Sequence, residues 1–153
     1  MSIDTEKLLV RRVFEEAFNQ GQLGIIDEVV AVGGVDHQHP DEPSFCEHLK
    51  DVVRALREAF PDLHFGITEL IGEGEWVACH SFMTGTQTGP LRPPVLPPAG
   101  PPVLPPTGRA VRVPHMYMLR FEQGKNTELW HVMDTMAMLG QLGLLPERSA
   151  ARV

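Results

Sequence analysis

Apolar residues at Leu9, Val13, Phe14, Ala17 and Phe18 recur at three- and four-residue intervals, so Asp4 to Gln20 reads as a helix with one buried stripe. Gly21 closes it, and GQLGIIDEVVA begins a second, shorter helix. A third is marked at its start, where Ser44 and Glu47 form a capping box. Leu49, Val52, Val53, Leu56 and Phe60 supply its apolar face, and Pro61 stops it.

Beyond Pro61 the apolar period drops toward two. Leu63 to Ile71 and Trp76 to Thr88 read as strands joined at Gly74. Arg109 to Glu122 and Asn126 to Ala137 read as a second pair, joined by a tight turn at Gln123-Gly124. LGQLGLLPE predicts a short helix or turn, followed by a polar tail expected to fray. Helices followed by a run of antiparallel strands predict an α+β fold. The 153 residues suit a single domain, 1–153, with one core.

The two strand pairs are separated by a tandem repeat. PPVLPPAG, Pro93 to Gly100, is followed by PPVLPPTG, Pro101 to Gly108, with Ala99 replaced by Thr107. Proline gives a ladder no amide donor, so 93–108 is expected to be an extended connection outside the sheet. A duplicated surface loop is tolerated because closure entropy grows slowly with length. A lid over a pocket and a PxxP docking ligand are the functional alternatives.

Charge narrows the partners. Thirteen Lys and Arg against twenty Asp and Glu leave a net charge of -7. That balance provides no basic footprint for nucleic acid or for an anionic membrane surface. MSIDTEKLLVRR lacks a signal-peptide core, and no apolar run reaches membrane-spanning length. Cys46 and Cys79 form no disulfide framework, which fits a reduced, cytoplasmic protein.

Strand arithmetic points to candidate chemistry. With Gln123-Gly124 as a two-residue turn, paired positions sum to 247. Tyr117 then faces Trp130, His115 faces Val132 and Val113 faces Asp134, all on one face. Met116, Met118, Arg120, Leu129, His131 and Met133 share the other, and Arg120 turns that face toward solvent or a second subunit. The exposed methionines lead us to expect a homodimer or homotetramer.

On this register Asp134 is an inward carboxylate in VMDTMAM, stripped of hydration and able to exchange a proton as a general acid or base. The bland alternative is a buried acid held by a neighbouring donor. His115 and Tyr117 are candidate donors to a substrate or enolate oxygen, and Trp130, Val132 and Met136 candidate pocket walls.

The remaining polar residues carry weaker signals. His37 and His39 resemble a metal half-site, but no second pair completes it, so no metal or cofactor is expected. His48, His64 and His80 read as surface or loop residues. On the second strand, Trp76, Ala78, His80 and Phe82 alternate with Val77, Cys79, Ser81 and Met83, and Ser81 has no His-Asp partners for nucleophilic catalysis.

FPDL (Phe60 to Leu63), TGTQTG (Thr84 to Gly89), PPTGRAV, FEQGK, ELWHVMD and GQLG follow one another in an order that resembles a SnoaL-like polyketide cyclase. This family belongs to the nuclear-transport-factor-2-like superfamily, and the resemblance runs from the first helix to Pro146. It implies a cone-shaped α+β barrel, in which a curved antiparallel sheet wraps N-terminal helices around an apolar cavity. It also implies cofactor-free aldol ring closure of an apolar small molecule.

By this resemblance the P-P-T-G turn falls at Pro105 to Gly108, which makes Pro93 to Gly100 the extra copy. The family's catalytic aspartate in W-x-x-x-D is matched by Trp130 and Asp134, and His39, before Pro40, would contact substrate at the cavity mouth. The family's outer strand face is matched by Trp76, Ala78, His80 and Phe82, which implies that Cys79, Ser81 and Met83 line the core or cavity. The expected protein is a cyclase- or isomerase-type enzyme with Asp134 and His115 catalytic. A hydrophobic small-molecule binder and a dimeric interaction domain with a docking loop are the alternatives.

Overall fold

The computed structural model describes residues 2–96 and 102–145; the centre of the proline repeat and the C-terminal tail lie outside them. Ser2 caps the first helix, α1 (Ile3–Arg12), its hydroxyl accepting from the Thr5 amide. The expected helix to Gln20 changes winding midway: Val13–Phe18 is π-helical, and the Asn19 amide donates back to the Phe14 carbonyl at 2.9 Å. The wider turn buries Phe14, Ala17 and Phe18 together. Asn19 then stands in for a strand, since its side chain accepts from the Phe65 amide and donates to the Phe65 carbonyl.

Helix α2 spans Gly24–Val29 and α3 spans Phe45–Ala59. The Ser44 hydroxyl accepts from the Glu47 amide at 3.2 Å, as the capping box requires. Val53, Leu56 and Ala59 are buried along its inner face.

Five strands form one mixed, curved and unclosed sheet: β1 (Val30–Asp36), β2 (His64–Glu73), β3 (Trp76–Thr86), β4 (Ala110–Glu122) and β5 (Lys125–Met133). Their order is β1-β5-β4-β3-β2, with β1 parallel to β5 and the other pairs antiparallel. Strand β1 was not expected, because VAVGGVD carries two glycines and no clean alternation. Helix α4 (Thr135–Gln141) follows β5 directly.

The hairpin register departs from the simple count. Gln123 and Gly124 have positive φ, 51° and 75°, as a two-residue turn of this hand requires. Glu122 pairs with Lys125 and Phe121 with Asn126, as expected, but Arg120 then pairs with Glu128. Thr127 is an extra residue in the ladder, a bulge. The buried Asn126 amide fills it, donating to the carbonyls of Arg120 (3.0 Å) and Glu128 (2.8 Å).

From the bulge onward every β5 side chain is inverted relative to the expectation. Tyr117 pairs with His131 and His115 with Met133, and His131 and Met133 join His115 and Tyr117 in lining the inner cavity. Trp130 lies on the outer side, stacked on His37 at 4.1 Å and 5.4 Å from Trp76. Met116, Met118 and Val132 are exposed.

Strand β5 also ends earlier than Ala137, at Met133, and Pro114 explains where. The Asp134 amide donates to the Pro114 carbonyl at 3.1 Å, but proline has no N–H to return. The ladder stops there, and the Asp134 carboxylate instead accepts from the Ala137 amide at 2.9 Å, capping α4. The expected inward position of Asp134 does not hold, and Met136 is likewise exposed on α4.

The two repeat copies are used differently. In the second, Leu104 exchanges both backbone hydrogen bonds with Leu91 at 2.9 Å, so this copy does join a short ladder. The fully buried Gln87 ties it down, donating to the Pro105 carbonyl and accepting from the Thr107 amide and hydroxyl, the latter at 2.7 Å. Thr107 is the one position at which the copies differ, so Ala99 lacks the hydroxyl that makes this bond.

Candidate functional site

The inner face of the sheet, α3 and the end of β1 enclose a cavity of about 490 Å³. That volume suits a small organic molecule. Leu49, Val52 and Leu56 of α3 form one wall, and Leu129 and Met133 of β5 part of another. Pro94, Val95 and Leu96 of the first repeat copy cover one side, so that copy is part of the site.

A polar relay lies on the β4–β5 wall. His115 Nδ1 is 3.0 Å from His131 Nε2 and 3.1 Å from the Tyr117 hydroxyl. The three rings are nearly parallel, with Tyr117 and His131 centroids 4.4 Å apart. The corrected register creates this group, because it places His131 directly opposite Tyr117.

Burial sets the protonation of the group. It lowers His115 to about 3, with the neighbouring His131 adding to the effect. Burial also lowers His131 to about 4, helped by His39. Tyr117 is raised well above the ordinary phenol range, chiefly by burial and then by Cys79 and Asp36. Both imidazoles are therefore neutral, and the phenol keeps its proton, around pH 7. The Cys79 thiol, pushed up to about 12 by burial, is no nucleophile.

A second polar cluster faces the cavity from β1 and α3. Asp36 is buried; its Oδ1 accepts from the Gln38 amide at 3.0 Å, and its Oδ2 is 3.8 Å from His48 Nε2. His48, expected on the surface, is buried on α3 with its ring 4.4 Å from that of His39. Burial, then His39, lowers the basicity of His48. Gln38 fastens the cluster to the neighbouring strand β5 by accepting from the His131 amide at 2.7 Å.

Of the expected site residues, His115, Tyr117 and His39 line the cavity, and Val132, although exposed, reaches its edge. Ser81 and Met83 are fully buried but lie outside its lining, and so do Trp130, Met136 and Asp134. Sequence reasoning missed His131, Asp36, Gln38 and His48. His131 was hidden by the bulge. The signal for His48 was its place one residue before Leu49 and four before Val52, beside the α3 apolar stripe.

The comparisons agree with this architecture. TsrD from Streptomyces laurentii superposes with a TM-score of 0.80 at 21% identity, over 95% of this chain and 99% of that one. AclR from Streptomyces galilaeus, a proposed hydroxylase, matches with a TM-score of 0.77 at 26% identity over 97% and 87%. IdmH from Streptomyces antibioticus, a proposed polyketide cyclase, gives 0.70 at 27% over 90% and 98%. No curated protein matches the sequence at a significant level. The family model for SnoaL-like polyketide cyclases matches residues 8–142, and the chain belongs to that family.

Proposed function

We propose that the protein catalyses proton-transfer chemistry of the polyketide-cyclase type, an aldol ring closure or a related isomerisation, on an apolar ketone held in the cavity. The observation that carries this reading is the His131–His115–Tyr117 relay on the wall of an otherwise largely apolar pocket. His131 uses Nε2 toward His115, and its Nδ1 has no hydrogen-bond partner among the described residues. In the tautomer with Nε2–H donating to His115, Nδ1 is a lone pair available to a substrate C–H.

His131 takes the proton from the carbon beside a carbonyl, leaving an enolate that attacks a second carbonyl. The shared charge spreads toward His115 while the pair is protonated. The proton then returns to the new alkoxide oxygen, so the reaction consumes nothing. Burial makes the imidazolium short-lived and a strong acid, which favours that return. The exposed Asp134 is not needed for this sequence.

Deuterium incorporation into β-tetralone, an apolar bicyclic ketone with an activated methylene, tests the reading by NMR in D₂O. The wild type should accelerate exchange, and His131→Gln should lower that acceleration on the order of 10²-fold, the scale of a general acid–base group. Ketone binding without acceleration would indicate a binding module instead.

A further inference from the structure

We propose that Asp36, His39 and His48 form a binding site for a divalent transition ion of the zinc type, opening into the cavity. The proposal concerns binding and does not rest on the proton-transfer reading. One ligand atom from each of the three residues lies within 4.8 Å of the others. Two imidazoles and one carboxylate are a donor set that favours such ions over magnesium or calcium.

The independent observation is His48. The residue is 4% exposed, and its Nε2 is buried without a hydrogen-bond partner. It faces Asp36 Oδ2 across 3.8 Å, too long for a hydrogen bond. An orphaned buried imidazole nitrogen is costly unless something is meant to meet it. On the other edge of the same ring, Nδ1 lies 3.7 Å from Glu42 Oε1. A metal bound at Nε2 would leave the ring's proton on Nδ1, on the side where Glu42 stands as an outer-shell carboxylate.

The fit requires modest closure. Bonds of about 2.0–2.1 Å in tetrahedral geometry bring donor atoms to about 3.4 Å from one another. Asp36 and His48 are within half an ångström of that spacing. His39 is exposed on the turn after β1, with its ring already 4.4 Å from that of His48. Three protein ligands leave a fourth position open, and all three line the cavity, so water or an oxygen of a bound molecule would take it.

Calorimetric titration of Zn²⁺ into untagged, chelator-treated protein tests this without any activity readout. The expected result is one site per chain, weakened about tenfold or more in His39→Ala and Asp36→Asn and unchanged in His64→Ala, a surface control. The scale is that of changes around metal sites. His39 is exposed, so its variant should fold even if Asp36→Asn does not. Absence of one-to-one binding in the wild type, or equal affinity in His39→Ala, would overturn the proposal.

Discussion

His131 Nε2 lies 3.0 Å from His115 Nδ1, and the Tyr117 hydroxyl meets that same His115 nitrogen at 3.1 Å. His115 Nδ1 can accept from His131 and from the Tyr117 hydroxyl only while its own ring is neutral and that nitrogen keeps its lone pair. Protonating both histidines would put two cations in contact inside a buried wall.

This gives stability a defined pH dependence. In the unfolded chain both histidines take up protons near pH 6.5, whereas the folded protein holds them neutral down to about 4 for His131 and about 3 for His115. The unfolded state binds more protons in that window, so stability is fully present above about pH 6.5 and is lost as pH falls toward 4. Urea midpoints measured across this range should fall with acidification, and less steeply in His131→Gln. A wild-type midpoint that stays level from pH 6.5 to 4.5 would contradict the neutral-pair assignment.

Asp134 separates two readings of the site. As the N-cap of α4 it is replaceable by asparagine, which caps equally well, while Asp134→Ala should cost about 1 kcal/mol. Exchange of β-tetralone should be near normal in Asp134→Asn. A hundredfold loss there, with the melting temperature unchanged, would return the acid–base role to Asp134 and remove it from His131.

The course of that strand shows what was legible. The apolar period of two revealed β2 to β5, and the capping box placed α3, because both are local patterns. The bulge at Thr127 was not legible, since it depends on the Asn126 side chain reaching the Arg120 carbonyl across the ladder and the Glu128 carbonyl on its own strand. One extra residue exchanged Trp130 for His131 on the inner face, and so changed the candidate chemistry. Pro114 was visible in the sequence, but its effect appears only once the register pairs it with Asp134. His39 and His48 are nine residues apart on different elements, so their meeting is tertiary.

Thr107 should matter more than its place in a proline-rich loop suggests. Its hydroxyl donates to the fully buried Gln87 at 2.7 Å. Thr107→Ala turns the second copy into a sequence duplicate of the first and should cost about 1 kcal/mol, the net worth of one hydrogen bond. Gln87→Ala should cost more, about 1–3 kcal/mol, because it removes the bonds to Gly89 and Pro105 as well as those to Thr107. Thermal melts of both variants would show the order, and a Thr107→Ala variant as stable as the wild type would remove this anchor.

Deleting Pro93 to Gly100 leaves one copy for two tasks. In the intact chain Leu96 covers the cavity while Leu104 bridges Leu91. After the deletion a single leucine remains, and Thr107 holds its copy to Gln87 on the bridge side. The cavity therefore loses the cover that Pro94, Val95 and Leu96 provide, while the core beneath Leu91 keeps its partner. The shorter loop should change stability by less than about 1 kcal/mol, and the lost burial of Leu96 should cost about 1.5–3 kcal/mol. Affinity for β-tetralone should fall about tenfold, the value of roughly one buried aliphatic contact. Calorimetry paired with thermal melts distinguishes the outcomes: unchanged affinity would remove the first copy from the binding site, and a collapsed melting transition would mean that the fold itself depends on it.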